Sequence, residues 1–298
     1  MACFHPLTAW RAPPGRDFPG GKSITFDQRF SVGCEELKLP CGQCIGCRLA
    51  KSRDWAMRCV HEASLYEQNC FITLTYDNSH LPKDGSLNVE DIQKFFKRLR
   101  KRFGAGIRFL QCGEYGSEFQ RPHHHACVFN FDFPDKIPIS CAGGNMLYIS
   151  ESLSDLWPFG YHTIGALTYD TAAYVARYVT KKITGSMADD HYKGRKPEFI
   201  TMSRRPGLAH DWYEKYKTDL YPKDFVTLNH GVKLKPAKYY DRMFDKEYPE
   251  AFEKLKEKRK NELELRASEY TEDRLKVKEN LLKLNFKEKM QRKFEQNG

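Results

Sequence analysis

Arg121-Pro122-His123-His124-His125-Ala126-Cys127-Val128-Phe129-Asn130-Phe131 is the stretch on which the fold turns. The apolar residues after the histidines read as a β-strand over 123–131. Side chains alternate between the two faces of a strand, so His123 and His125 share one side and His124 takes the other. Two imidazoles at i and i+2 on one face can hold a divalent metal together. The plainer reading is a polar strand edge, or a histidine tract arisen by chance.

A third ligand has to come from a neighbouring strand. Ile107-Arg108-Phe109-Leu110-Gln111-Cys112-Gly113-Glu114-Tyr115 reads as that neighbour, and the polar turn from Gly116 to Pro122 returns the chain beside it. Glu114 can therefore face His123 across an antiparallel hairpin. Gln111 and Glu118 compete for the role, and Glu114 could equally be an exposed turn carboxylate. A glutamate with two histidines leaves positions open for water and a phosphate oxygen, as a catalytic Mg²⁺ or Mn²⁺ needs.

Working outward, Phe71-Ile72-Thr73-Leu74-Thr75-Tyr76 is β-branched and aromatic and ends at Asp77-Asn78, a turn signal. Asn88 or Asp91 can cap a helix to about Arg102, with Ile92, Phe95, Phe96 and Leu99 on one face. Ser152 is placed to cap a short helix through Leu156; 161–167 is strand-like, and a helix is expected over 171–183. An earlier helical pattern runs from Leu49 to about Tyr66. This order predicts an α+β fold in which an antiparallel sheet carries its helices on one face.

The expected divisions are a Cys-rich N-terminal segment over 1–50, a sheet-bearing domain over 51–185, a mixed accessory region over 186–248 and a charged tail over 249–298. In the tail, Leu255, Leu263, Leu275 and Leu282 recur sparsely among Glu, Lys and Arg, which predicts a long solvated helix or a disordered basic arm. The chain has 298 residues, 40% of them hydrophobic, which is enough for a real core. Its 49 Lys and Arg against 39 acids give a net charge of +10, a balance suited to a polyanionic partner. No apolar run approaches the ~20 residues of a membrane span. The start lacks the pattern of a signal peptide, so a soluble intracellular protein is expected.

Ten cysteines in such a chain are expected to stay reduced. Three form Cys41-x-x-Cys44-x-x-Cys47, a spacing from which thiolates can converge on a tetrahedral Zn²⁺. Cys3, Cys34, Cys59, His5 or His61 could complete the set; the plainer reading is a tight turn of unligated cysteines. A second element is Ala172-Ala173-Tyr174-Val175-Ala176-Arg177-Tyr178-Val179-Thr180-Lys181-Lys182. On a helix Tyr174 and Tyr178 lie one turn apart on one face, with Lys181 on the same face. Such a tyrosine pair is commonly core packing. A phenol becomes a useful nucleophile only where a metal polarises the phosphate it attacks and a nearby ammonium stabilises the phenolate.

The Phe-x-Thr-Leu-Thr strand, the His-x-His strand after a hairpin and the Tyr-x-x-x-Tyr-x-x-Lys helix, in that order, resemble the HUH endonucleases. The match looks closer still to the replication initiation proteins of small single-stranded DNA bacteriophages, the microviruses of gokushovirus type. Pro40-Cys41-Gly42-Gln43-Cys44-Ile45-Gly46-Cys47-Arg48, Cys112-Gly113-Glu114-Tyr115-Gly116 and the histidine and tyrosine segments carry it, over about residues 34–185. The resemblance implies an antiparallel sheet of about five strands with flanking helices. It also implies a metal-dependent nick, in which a tyrosine takes the 5′-phosphate and leaves a 3′-OH that primes rolling-circle replication in the host bacterial cytoplasm. Carried over by residue, His123, His125 and Glu114 would be metal ligands. Tyr174 and Tyr178 would be alternating nucleophiles, and Lys181 a support for the phenolate. The third histidine, His124, departs from the family pattern: a register slip of one residue would exchange the ligands.

Single-stranded origin DNA needs a basic track. Lys94, Lys97, Arg98, Arg100, Lys101 and Arg102 supply one on the second helix, and Lys181 and Lys182 add to it; Lys97, Arg98, Lys101 and Lys182 are the expected contacts. The tail could serve DNA, a host helicase or self-association. A non-catalytic zinc-dependent single-stranded-DNA-binding module is the alternative from another class, and a relaxase or transposase of the same superfamily is a third.

Overall fold

The computed structural model describes residues 3–19, 21–116, 119–142, 145–181, 188–227 and 231–293; within these, the side chains of 142, 178–181, 222 and 286–293 lie outside the description. The chain divides into two compact units, Met1–Ala50 with Glu253–Gly298, and Lys51–Phe252.

The first unit opens with a three-stranded antiparallel sheet of β1 (Leu7–Arg11), β2 (Ile24–Thr25) and β3 (Glu35–Leu39), in the order β2-β1-β3. Helix α1 spans Ile45–Ala63. It starts four residues earlier than the periodicity predicts, because Ile45, Gly46 and Cys47 of the cysteine segment already form its first turn.

In the second unit β4 (Asn69–Tyr76), α2 (Val89–Phe103), β5 (Arg108–Tyr115) and β6 (Pro122–Phe129) follow the expected order. The hairpin β7 (Ile137–Ala142) and β8 (Asn145–Ile149) comes next, then α3 (Glu151–Leu156), β9 (Gly160–Gly165) and α4 (Tyr169–Lys181). Beyond these lie α5 (Ala188–Tyr192), β10 (Phe199–Met202), α6 (His210–Lys223), β11 (Val226–Thr227), β12 (Lys233–Leu234) and α7 (Lys238–Glu247). The tail forms α8 (Pro249–Glu264) and α9 (Glu272–Lys293), separated by a 3-10 turn at Ala267–Tyr270.

Strands β10-β5-β6-β4-β9-β8-β7 make one seven-stranded sheet in which every pairing is antiparallel. The fold is α+β, as expected, but the sheet is wider than about five strands. Four of its strands, β4, β5, β6 and β9, are those read from the sequence, and the β7–β8 hairpin and β10 add three more. Ile137, Ile139, Met146 and Ile149 in the β7–β8 hairpin are exposed, so they leave no buried-face signal in the sequence. Strand β10 comes from beyond residue 185 and docks along β5. Gly113 permits that docking: a Cβ there would stand 2.6 Å from a carbon of the Phe199 ring.

The expectation of helices on one face is corrected. Ile92, Phe95, Phe96 and Leu99 of α2 and Leu153 and Leu156 of α3 pack with Ile72, Leu74, Ala126 and Val128 on one side of the sheet. Ala56 and Cys59 of α1 and Ala172 and Val175 of α4 pack with Leu110, Cys112, Cys127 and Phe129 on the other. Burying each large apolar side chain contributes about 1.5–3 kcal/mol, so both layers are needed to cover a sheet that is apolar on its two faces. The cap of α3 is also corrected: Ser150, rather than Ser152, accepts the Leu153 N–H.

Candidate active site

Strand β6 lies inside the sheet, hydrogen-bonded on one side to β5 and on the other to β4. Glu114 pairs with His123, and Cys112 with His125, on the β5 side; Thr73 pairs with His125 on the β4 side. These positions put Glu114, His123, His125 and Thr73 on the face covered by α4. His125 Nε2 lies 2.8 Å from Glu114 Oε1, and His123 Nε2 lies 3.7 Å from the same oxygen. One donor atom from each residue fits within a mutual distance of 4.8 Å.

Glu114 is 2% exposed, and its Oε2 is buried with no hydrogen-bond partner among the described residues. A buried carboxylate oxygen left unsatisfied is costly, and a bound cation would remove that cost. The hard oxygen and two imidazoles suit a hard or borderline divalent ion and leave open positions. These three residues therefore fit a metal.

Thr73 Oγ1 lies 2.9 Å from His125 Nδ1. With the proton on Nδ1 and donated to Thr73, Nε2 would be free to give its lone pair to a cation shared with Glu114, which is the usual outer arrangement around a ligating histidine. Thr73→Val should leave the fold intact and weaken Mn²⁺ binding by about 10–100-fold, read by calorimetric titration. Unchanged affinity would remove Thr73 from this role. Gly116 sits against the same ligand set, since a Cβ there would come within 3.0 Å of the His123 ring.

His124 points to the opposite face and is fully buried. Its Nε2 lies 3.2 Å from the Tyr76 hydroxyl, which donates to Asp91 Oδ2 at 2.9 Å, and the Trp157 and Phe199 rings enclose it. Burial pushes its pKa down to about 3, so the ring is neutral. Of the competing ligands, Gln111 pairs with Ala126 and so belongs to that opposite face, and Glu118 lies outside the described residues.

Helix α4 is anchored at its start by Thr168, whose Oγ1 accepts the Thr171 N–H. It brings the Tyr174 ring edge-on to His125 with centroids 5.1 Å apart, and the Tyr174 hydroxyl donates to Glu114 Oε1 at 3.3 Å. Phe71 stacks on His125 with centroids 5.8 Å apart. The Arg177 guanidinium lies 5.7 Å from the centre of the Tyr174 ring. The side chains of Tyr178 and Lys181, and the whole of Lys182, lie outside the described residues. Thr73 and Arg177 are not singled out by the sequence. Thr73 becomes visible only once β4 and β6 are in register, and Arg177 only once Tyr174 is oriented.

Of the basic residues on α2, Lys97 and Lys101 are exposed, whereas Arg98 donates to Leu156 O at 2.7 Å and closes the end of α3. Arg100 donates to Ile107 O, and Arg102 pairs with Asp155. All lie on the helix covering the face opposite the Glu-His-His cluster. The first unit holds a second cluster of possible metal donors, Cys3, Cys41, Cys44 and Cys47. Among the described residues no helix is long and apolar enough to cross a membrane.

An antiparallel sheet carrying a buried Glu-His-His cluster beneath a tyrosine-bearing helix is also the region that comparison singles out. Residues 69–183 match a family of replication-associated proteins, the ORF2 type. The chain is 35% identical over 279 residues to the replication-associated protein ORF2 of Spiroplasma virus 4, covering 87% of the chain and 86% of that protein. It is 33% identical over 260 residues to the replication-associated protein VP4 of Bdellovibrio phage phiMH2K, covering 84% and 79%. It is 34% identical over 259 residues to the replication-associated protein ORF4 of Chlamydia phage 1, covering 78% and 64%. No solved structure matches the chain. The chain belongs to the replication-associated proteins of microviruses.

Proposed function

We propose that this chain is an HUH-type, metal-dependent endonuclease and strand transferase that nicks and rejoins single-stranded DNA at a phage replication origin. The observation that carries the reading is the Tyr174 hydroxyl held 3.3 Å from Glu114 Oε1, the oxygen on which both histidines also converge. A nucleophile and a ligand set meeting at one atom have no use in a passive binding module.

In this reading Tyr174 Oη attacks a backbone phosphorus. The O–P bond to the phenol forms as the P–O3′ bond breaks; the departing 3′-oxygen takes up a proton to balance the one the phenol loses, leaving a 5′-phosphotyrosine and a 3′-OH that can prime synthesis. The phenol proton already points at Glu114 Oε1, and the Arg177 guanidinium lies near enough to favour the developing phenolate charge. Mg²⁺ or Mn²⁺ held by Glu114, His123 and His125 would supply Lewis acidity toward a non-bridging phosphate oxygen. Attack by the 3′-OH on the phosphotyrosine reverses the step and rejoins the strand without ATP. Tyr178, one helical turn on, would be the second nucleophile, and Lys181 a support for the phenolate.

Lys182, with Lys97, Arg98 and Lys101, is offered as a DNA contact, in which Arg98 keeps its cap on α3. The setting is rolling-circle replication in the host bacterial cytoplasm, with a host helicase as a natural partner. The soft four-cysteine cluster, suited to Zn²⁺, takes no part in this chemistry.

The test is to incubate the full chain with single-stranded DNA of its own replicon and Mn²⁺ and to separate the products on a denaturing gel. A mass-shifted species that survives boiling in detergent and maps to Tyr174 or Tyr178 is expected. Tight, salt-sensitive binding without an adduct would favour the zinc-dependent binding module instead.

A further inference from the structure

We infer that Cys3, Cys41, Cys44 and Cys47 form a tetrathiolate Zn²⁺ site that holds the N-terminal segment together, independently of the Glu-His-His cluster. The four sulfurs all lie within 4.8 Å of one another, and Cys44 Sγ is 4.0 Å from Cys3 Sγ. Sulfurs about 2.3 Å from a tetrahedral zinc stand roughly 3.8 Å apart, so the ion fits with only a slight contraction. A disulfide between the same pair would have to close to about 2.05 Å.

The sequence leaves five candidates for the fourth ligand, and four of them are engaged elsewhere. Cys34 Sγ donates to Phe30 O, and Cys59 is buried in the core beneath α4. His5 pairs with Glu279, and His61 bonds the Tyr240 hydroxyl and stacks on Trp212. Cys3 alone points into the triple, and it is 2% exposed.

The backbone is arranged for thiolates. The N–H of Cys41 donates to Cys3 Sγ at 3.2 Å, and that of Cys44 to Cys41 Sγ at 3.3 Å. Those of Phe4 and Cys47 donate to Cys44 Sγ at 3.4 and 3.5 Å. A neutral thiol is a weak acceptor, whereas a metal-bound thiolate gains from each such donor. The segment has little apolar core of its own. Between residues 3 and 50, Ala9 and Phe18 are the only buried hydrophobic side chains besides Cys3 and Cys44 among the described residues. For a segment with so few buried side chains of its own, a structural zinc supplies folding energy directly.

Elemental analysis of the purified full chain should find a single zinc per molecule. His123→Ala with His125→Ala, and Cys34→Ser, should each keep it, and Cys3→Ser should lose it. Zinc that disappears with the histidines, or that persists at full occupancy in Cys3→Ser, would overturn the assignment. Because Cys3→Ser could act by unfolding the segment, the wild-type protein exchanged with Co²⁺ gives an independent readout. Intense visible bands of a tetrahedral tetrathiolate are expected, and a weak octahedral spectrum would sink the site. Neither result depends on DNA cleavage, so failure here and failure of the nicking reaction are distinguishable.

Discussion

Replacing His123 and His125 together with alanine should reduce Mn²⁺-dependent nicking by about a thousandfold or more, the scale of several kcal/mol that a metal contributes by stabilising charge on a phosphate. DNA binding should persist with its salt dependence nearly unchanged, because on the proposed reading the phosphate contacts that set that slope would come from lysines and arginines rather than these rings. His124→Ala should behave differently in kind. Its ring fills space among Tyr76, Trp157 and Phe199 on the far side of the sheet, so its loss should appear as a lower melting temperature, with residual nicking in proportion to folded protein. Nicking assays paired with thermal melts separate the two outcomes. Normal cleavage by the His123/His125 double variant would overturn the ligand assignment.

The tyrosines should show a different pattern. Tyr174→Phe and Tyr178→Phe should each leave some single cleavage, and the double substitution should leave none. Phenylalanine keeps the ring that Tyr174 packs edge-on to His125 and Phe71, so the fold and the Glu-His-His cluster should be preserved while the oxygen proposed to attack is removed. Intact-mass analysis of the covalent product in each single variant would show whether the remaining tyrosine carries the DNA. Cleavage at full rate by the doubly substituted protein would remove both residues from the nucleophile role.

Much of the Glu-His-His arrangement was legible because β geometry is arithmetic. Strand alternation separates His124 from its neighbours, and the short turn between β5 and β6 brings Glu114 opposite His123. What depended on tertiary register was not legible: Thr73 belongs to a strand far away in sequence. Cys3, 38 residues before Cys41, was legible as one of several candidate donors, and only its approach to Cys41 and Cys44 separates it from the others. The layering of the helices was misjudged for a related reason. The residues that α1 and α4 bury include Ala56, Cys59, Ala172 and Val175, small side chains that give a weak apolar signal beside the phenylalanines of α2. The β7–β8 hairpin escaped because its large apolar residues face outward. Ser150 and Ser152 both suit a helix start by composition, and only the backbone angle at Ser150 decides between them.

The hydrogen bond from Tyr174 to Glu114 also bears on timing. Oε1 offers about two lone pairs, and His125, His123 and the Tyr174 phenol already crowd it at 2.8, 3.7 and 3.3 Å. In the proposed reaction, a cation held by Glu114, His123 and His125 would compete with the phenol for this oxygen, coupling metal binding to the freedom of the Tyr174 hydroxyl. On that reading the Tyr174–Glu114 hydrogen bond would act as a safety catch, holding the phenol to the carboxylate until a metal took its place.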